Sequence, residues 1–335
     1  MNPYEDNWQD VLRKAMRGLS MDETTLSQRS GIPLQEVESL LEGHLHKNNL
    51  LRLAPVLSLD PTSLLDLANE IAPISVALPE QVLCFTTPFH DMKVHSYLLW
   101  SEKNKRAVAF DTGTNASLLL EELAKHQLKL QSIFLTHSHR DHLAELNTLI
   151  EATGAEAWID SEELVPGTKP LDFFRNSTDT ANCGVAPELE RIVSSTPGAS
   201  SMLYTLNSCA PSTPCTSSAS ASLERSLLFS SPSWRLDEFI SIEARSTPGH
   251  SPGGTTYIIR GLSSPVAIVG DAIFARSVGG ISPSAYPSAL KAIQNNILSL
   301  PHETILAPGH GPLTTVGEEL KHNPFWLPTF LEKRN

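Results

Sequence analysis

The sequence predicts an α/β layered domain preceded by a small all-α module. From about residue 80 onward, short apolar runs typical of strands alternate with helical patterns. Before that point, Leu, Val and Ile recur at three- and four-residue spacing without strand-like alternation. With 335 residues the chain is long enough for one large domain and one small one.

The helical module is predicted to span residues 1–75 and the α/β domain residues 80–335. Between them the segment "IAPISVALPE" contains Pro73 and Pro79, which cannot continue a helix. The change from a helical pattern to strand-like apolar runs marks the predicted domain boundary.

Strand and helix patterns alternate along the α/β domain. Predicted strands are "VLCFTTP", "VHSYLLW", "RAVAFD", "SIFL", "AEAWID", "GTTYIIR", "PVAIVGD" and "TILA". Predicted helices are "NASLLLEELAKHQL", "LAELNTLIEATG" and "SALKAIQNNILSL". Residues 170–232 interrupt this order with a Ser-, Thr- and Pro-rich composition that buries little apolar surface, so we predict a partly disordered insertion there.

Composition excludes several classes of protein. The formal net charge of -12 opposes binding to phosphate backbones, which makes nucleic acid an unfavourable partner. The acidic N-terminus has no apolar core for secretion, and no apolar run is long enough to span a membrane. Four cysteines without CxxC spacing indicate reduced thiols, so a cytoplasmic location is expected.

Histidine and aspartate residues cluster at predicted strand ends. The stretch "THSHRDH" follows the strand "SIFL" and contains His137, His139, Asp141 and His142. The first two histidines lie two residues apart in extended chain, where both side chains point the same way and can share one ion. Imidazole and carboxylate suit zinc or iron, and a carboxylate can bridge two ions.

Three more such residues follow later strands: His250 in "TPGHSPGG", Asp271 after "VAIVG" and His310 in "PGHGP". Taken singly, a histidine beside glycine is usually a turn residue, and an aspartate after a strand is often a helix cap. Their shared position at strand ends, where α/β sheets place active sites, favours a metal site.

These motifs resemble the metallo-β-lactamase-fold superfamily, whose HxHxDH motif matches residues 137–142. "TPGHSPGG", "GDAIFARSVGG" and "PGHGPLTTVGEELKHNPF" resemble signatures of the short glyoxalase II-like (hydroxyacylglutathione hydrolase-like) branch. The resemblance implies an αββα sandwich with the site at one edge.

It also implies a set of ligands. One metal would be held by His137, His139 and His250, a second by Asp141, His142 and His310, and Asp271 would bridge them. Asp111 in "AFDTG" would support the site and is counted with Asp141 as catalytic. His90 and His95 belong to no motif and are predicted to be structural.

The chain departs from that branch in two places. The branch usually carries an arginine directly after a "GSIG"-like turn, where this chain has Gly280. Arg276 comes earlier and is the candidate substrate-binding residue. Full-length glyoxalase II enzymes also have a helical glutathione-binding extension after the last histidine ligand, whereas 25 residues follow His310 here.

The function implied is a metal-dependent hydrolase of a small thioester or ester. Two divalent ions, zinc or alternatively iron or manganese, would supply a metal-bound hydroxide, and Asp141 would orient it or accept its proton. A rival within the fold is a persulfide dioxygenase-like enzyme with a single iron held by two histidines and an aspartate. The complete second set of ligands argues against that rival.

The segment "TTLSQRSGIPLQEVESLLEG" resembles the helix-turn-helix of lambda-repressor-like DNA-binding domains. A transcription regulator with a metallohydrolase-like sensor domain is therefore an alternative function. Its recognition helix would present Gln35, Glu36, Glu38 and Glu42 to the phosphates, which opposes DNA binding. A protein partner or self-association through this module is preferred.

Overall fold

The N-terminal part of the molecule is helical, as predicted. The computed structural model describes residues 3–172, 190–191 and 231–326. The N-terminal elements are α1 (Trp8–Gly18), α2 (Glu23–Ser30), α3 (Leu34–Leu41), α4 (Lys47–Leu53), a 3-10 turn (Ala54–Leu57) and α5 (Pro61–Ala68). Asn7 caps α1 by accepting a hydrogen bond from the Asp10 amide at 2.9 Å, and the Asp10 carboxylate accepts one from the Asn7 amide at 3.1 Å.

The first sheet has six strands in sequence order, from β1 to β6. They are β1 (Val82–Phe89), β2 (Met92–Trp100), β3 (Arg106–Phe110), β4 (Lys129–Phe134), β5 (Glu156–Asp160) and β6 (Thr168–Leu171). The first three strands are antiparallel, and β3 to β6 are parallel. The intervening helices are α6 (Ser117–Lys125), α7 (Arg140–Leu143) and α8 (Leu146–Thr153).

The second sheet has the order β15-β14-β11-β10-β9-β8-β7. Its strands are β7 (Glu190–Arg191), β8 (Ser233–Arg235), β9 (Ser241–Ser246), β10 (Thr255–Arg260), β11 (Val266–Gly270), β14 (Ile305–Pro308) and β15 (Thr314–Thr315). The remaining elements are the hairpin β12 (Ile273–Phe274) and β13 (Ser277–Val278), with α9 (Tyr286–Asn296) and α10 (Val316–His322). Among the strands that the structure describes in this sheet, the β11–β14 pair is parallel and the other pairs are antiparallel.

The two sheets pack face to face with helices outside them, which confirms the expected αββα layering. Along β2, Tyr97 and Leu99 face the second sheet, where they share a core with Tyr257 and Ile259 of β10. The alternate residues Leu98 and Trp100 instead pack beneath α6 and α8. The Tyr257 hydroxyl also crosses between the sheets to donate to the Leu135 carbonyl at 2.7 Å.

The N-terminal helices share one hydrophobic core with the outer face of the second sheet. Leu12 of α1 and Leu64 of α5 belong to the same buried cluster as Ile258, Val269 and Ile293. The helices therefore pack against the sheet and α9. The division of the chain at residues 75–80 into two domains stays a prediction.

Most of the predicted insertion, residues 173–189 and 192–230, lies outside the described residues. Within the described ranges, no helix is both long and apolar enough to cross a membrane.

Candidate metal centre

The seven predicted metal-binding side chains meet at one edge of the sandwich. His137 and His139 follow β4, Asp141 and His142 lie on the short helix α7, and His250 lies between β9 and β10. Asp271 directly follows β11, and His310 follows β14. Because β4, β11 and β14 all end at this edge, residues far apart in sequence become neighbours.

The side chains form two compact groups. In one, a ligand atom from each of His137, His139, His250 and Asp271 lies within 4.8 Å of every other, and the same holds for a second group of Asp141, His142 and His310. Asp271 reaches both groups, since its Oδ2 is 3.4 Å from Nε2 of His250 and 3.4 Å from Nε2 of His310. The seven side chains thus lie in two neighbouring groups that Asp271 connects, and their assignment as metal ligands stays a prediction.

Hydrogen bonds donated by Nδ1 orient four of the five imidazole rings. His142 Nδ1 donates to Asp111 at 2.8 Å, His310 Nδ1 to the Lys93 carbonyl at 2.7 Å, and His250 Nδ1 to the Gly280 carbonyl at 3.1 Å. With Nδ1 engaged in this way, Nε2 is the ring nitrogen that faces the site.

His137 is oriented through Thr136. The Thr136 hydroxyl is 2.8 Å from the Asp111 carboxylate, to which it donates, and 3.0 Å from His137 Nδ1. Since a hydroxyl has one proton, it accepts from His137 Nδ1, and Nε2 of His137 is again left with its lone pair. His139 differs, because its Nδ1 is the atom that lies 3.0 Å from His137 Nε2 and 2.9 Å from His250 Nε2.

Asp111 organises one side of the centre. Besides His142 and the Thr136 hydroxyl, its carboxylate accepts a hydrogen bond from the Thr136 amide at 2.7 Å. The residue is 1% exposed, and its backbone is in the left-handed region with φ of 56°. Such a conformation is uncommon for a non-glycine residue and occurs where the surroundings fix it.

Strong electrostatic coupling joins the acids and imidazoles. Burial would raise the pKa of Asp271, but His142, His310 and His137 lower it well below its usual value. Burial would lower the pKa of His142, but Asp271 and Asp111 raise it well above its usual value. Oppositely directed shifts of this kind mark a dense cluster of partners rather than a surface group.

The residues present fit a divalent cation. His142 Nε2 and Asp271 Oδ1 are buried without a hydrogen-bond partner although they lie 3.4 Å apart. Leaving such atoms unsatisfied costs about 1–3 kcal/mol each. Five imidazoles with two carboxylates form a borderline-soft donor set suited to zinc or iron.

Glycines allow the close packing. A Cβ at Gly309 would lie 2.3 Å from Asp271 Oδ1 and 2.4 Å from His142 Cε1, and one at Gly279 would lie 1.9 Å from the Asp271 carbonyl oxygen. Neither position therefore tolerates a side chain without displacing Asp271.

The sequence analysis did not predict the role of two residues that support the site. Glu163 accepts hydrogen bonds from the Ser138 amide and the Gly253 amide, each at 2.9 Å, and so ties the loop before α7 to the loop carrying His250. Nothing in "SEEL" signals this role. His95 Nε2 contacts the Gly311 carbonyl at 2.7 Å, which fixes the loop carrying His310 and gives the predicted structural histidine a positioning role.

Arg276 lies in different surroundings from those expected of a substrate contact. Its side chain is 7% exposed, its Nη1 donates to the His322 carbonyl at 3.2 Å, and its Cζ lies 5.9 Å from the Tyr4 ring centroid. These contacts hold the guanidinium between the N-terminal segment and α10. Substrate binding by Arg276 stays a prediction.

Comparisons with known proteins identify the family of this chain. Residues 91–310 match the model of the metallo-beta-lactamase superfamily, and the chain belongs to that superfamily. It is 25% identical over 230 residues to a hydroxyacylglutathione hydrolase, GloC, of Haemophilus influenzae, which covers 68% of this chain and 90% of the relative.

A probable metallo-hydrolase of Streptococcus pyogenes is 24% identical over 226 residues, which is 67% of this chain and 82% of the relative. Among solved structures, the BLEG-1 B3 metallo-beta-lactamase aligns with a TM-score of 0.44 and 27% identity, over 72% of this chain and 99% of that one. Membership of the superfamily supports a metallo-hydrolase.

Proposed function

We propose that the protein is a metal-dependent hydrolase of a small thioester or ester, acting through a dinuclear centre. The observation that carries this proposal is the pair of adjacent ligand groups with Asp271 reaching both. Membership of the metallo-beta-lactamase superfamily supports hydrolysis, and the similarity to a hydroxyacylglutathione hydrolase favours a thioester.

The bound cations would supply a nucleophilic hydroxide at neutral pH and stabilise negative charge on the substrate carbonyl oxygen. In this proposal the histidines and Asp271 hold them in place, and Asp111 fixes the tautomer of His142. Asp141, whose Oδ2 lies 3.2 Å from His310 Nε2, would orient the attacking water or accept its proton. No serine or cysteine nucleophile is required.

The substrate enters from the side of His139 and His250. His139 is exposed and the His250 side chain is 20% exposed, whereas His137, His142 and His310 are buried. A carbonyl group approaching from this side reaches the first ligand group before the second. The site therefore has one accessible face and one buried wall.

The test combines metal analysis with a substrate panel. Purified protein is reconstituted with zinc, iron or manganese and assayed with S-lactoylglutathione, other acyl thioesters and simple esters. We expect hydrolysis of at least one thioester and its loss in Asp271→Ala. Inactivity of the fully loaded wild-type protein on the whole panel would refute the hydrolase proposal.

The same measurement separates the mononuclear rival. Asp141, His142 and His310 are complete and within 4.8 Å of one another, which favours a second ion over a single iron. One iron per chain, together with oxygen consumption on a persulfide, would instead establish the dioxygenase.

For the N-terminal module we propose a role in protein contacts rather than DNA binding. Gln35, Glu36, Glu38 and Glu42 are all exposed on or directly after α3, so that face is acidic. A gel-shift assay at low salt with random genomic DNA tests this proposal. Tight binding that salt abolishes would restore the regulator.

A further inference from the structure

The N-terminal segment runs along the rim of the candidate metal centre. At one end Glu5 packs against Gly311, where a Cβ would lie 3.0 Å from the Glu5 Cβ. In the middle Lys14 Nζ donates to the Val278 carbonyl at 2.7 Å. At the other end Arg17 approaches Gly280. The segment therefore forms a wall beside the loop that carries His310 and beside the chain after β13, where the Gly280 carbonyl bonds to His250.

Arg17 lies within ordinary contact distance of the position that a Cβ at residue 280 would take. A Cβ placed on Gly280 would lie 3.6 Å from Arg17 Nη1. The carbonyl of Gly280 accepts the hydrogen bond of His250 Nδ1 at 3.1 Å. The guanidinium therefore lies beside the residue whose carbonyl orients His250, a candidate metal ligand.

The two positively charged side chains of this wall, Lys14 and Arg17, differ in their contacts. Lys14 is partly buried, paired with Asp6 and placed over the Phe274 ring at 5.1 Å, so its charge is already used. Arg17 is exposed, and no hydrogen bond or ion pair engages its side chain in the described part of the chain. Its planar, permanently charged group is free to bind an anion with two parallel hydrogen bonds.

The charges along the wall favour an anion at the Arg17 end only. Burial raises the pKa of Glu5, and the nearby charges of His310 and Asp271 lower and raise it respectively, so an acidic group lies at that end and opposes a bound anion. In the described part of the chain, Gly280 has a contact with Arg17 and none with an acidic side chain. An anionic group therefore finds an attractive position next to Gly280, whose carbonyl bonds to His250.

We propose that Arg17 binds a carboxylate of the substrate and so selects acyl thioesters or esters that carry a negative charge. The proposal rests on the hydrolase function proposed above and specifies its substrate class. The amino-terminal helix, outside the matched residues 91–310, would thus supply part of the active site.

The first test compares two thioesters that differ in the charge of the terminal group, S-succinyl-N-acetylcysteamine and its methyl ester, with release of the thiol as the measured reaction. We expect Arg17→Ala to lower kcat/KM for the carboxylate by about tenfold, as a lost charge-assisted hydrogen bond would, and to leave the methyl ester within about twofold. Arg17→Lys should recover part of the loss. Arg29→Ala, which removes an exposed arginine from α2, is the matched control.

The second test measures binding without turnover. The amide analogues of both compounds, with nitrogen in place of the thioester sulfur, are titrated calorimetrically into metal-loaded and metal-free protein. Arg17→Ala should weaken binding of the carboxylate analogue alone, by a similar factor. If Arg17→Ala and Arg29→Ala behave alike in both tests, or if wild-type protein does not prefer the carboxylate analogue, the proposal is wrong.

The two proposals fail separately. Wild-type protein that binds the carboxylate analogue through Arg17 but hydrolyses no thioester retains the anion site and loses the hydrolase function. Hydrolysis that is indifferent to Arg17 and to substrate charge retains the function and removes the anion site.

Discussion

At the scale of single residues, the centre is defined by which imidazole nitrogen each histidine presents. His142, His250 and His310 each give their Nδ1 proton to an oxygen acceptor, and His137 does so through the Thr136 hydroxyl. Fixing the tautomer in advance removes an orientational cost from cation binding. The backbone carbonyls of Lys93 and Gly280 are thus as much part of the site as side chains are.

Asp111→Asn tests this orientation. The substitution keeps the shape but removes the charge that receives three hydrogen bonds, including that of His142 Nδ1. We expect metal affinity to fall about 10- to 100-fold at the group containing His142, with a smaller effect at the group containing His139. Competition titration with a chelating dye measures both affinities.

The exposed Asp91, substituted by Asn, serves as the control and should leave both affinities unchanged. Equal weakening of both groups by Asp111→Asn, or no weakening of either, would contradict the role assigned to this carboxylate.

At the scale of elements, α1 is held against α9 by a close approach at Gly18. A Cβ there would lie 2.3–2.5 Å from ring atoms of Tyr286. In an isolated helix, Gly→Ala stabilises by up to about 1 kcal/mol. Here we expect Gly18→Ala to destabilise by about 1–3 kcal/mol, because either the ring or the helix must move.

Chemical denaturation measures the change, and Gly317→Ala in α10, with a nearest approach of 3.2 Å, is the milder comparison. Combining Gly18→Ala with Tyr286→Ala should abolish the penalty specific to the alanine Cβ. Stabilisation by Gly18→Ala alone would show that α1 does not dock as described.

The position of α10 depends on a buried acidic residue, Glu319. Glu319 is 1% exposed and accepts hydrogen bonds from Thr314, Asn323 and the Arg276 amide, yet burial raises its pKa to about 7. Between the ordinary value of 4.5 and this one, the folded state keeps a proton that the unfolded state has released. Stability therefore falls as pH rises through this window.

Glu319→Gln removes the titrating group. Relative to the wild type, its free energy of unfolding should therefore increase by about 3 kcal/mol between pH 5 and pH 8, at 1.36 kcal/mol per unit of pKa shift. Urea denaturation at several pH values measures this gain, with Glu318→Gln as the neighbouring control on α10. A stability difference that does not vary with pH would refute the raised pKa.

Elements that carry a clear pattern were predicted, and those without one were not. The sequence indicates the apolar strands β10 and β11, the helix α9 and the candidate ligands at strand ends. β9 escaped because only Ile242 and Ala244 of its six residues are buried apolar side chains, between charged neighbours. Arg17 could not be recognised, since its position beside Gly280 depends on packing between distant parts of the chain.

At the scale of the whole molecule, three hydrophobic cores of the described residues hold together the elements that carry the candidate metal centre. One core joins the two sheets, one lies beneath α6 and α8, and one joins the second sheet to α9 and the N-terminal helices. The centre lies where the ends of both sheets meet, so neither sheet alone contains it. Removing the N-terminal helices would expose the third core as well as the rim of the site.

The most direct test of the central claim is the number of metal ions bound per chain. Protein reconstituted with zinc, dialysed and analysed by mass spectrometry of the metal should hold two ions per chain, and Asp271→Asn should hold fewer. A correctly folded wild-type chain that retains one ion or none would contradict the dinuclear centre.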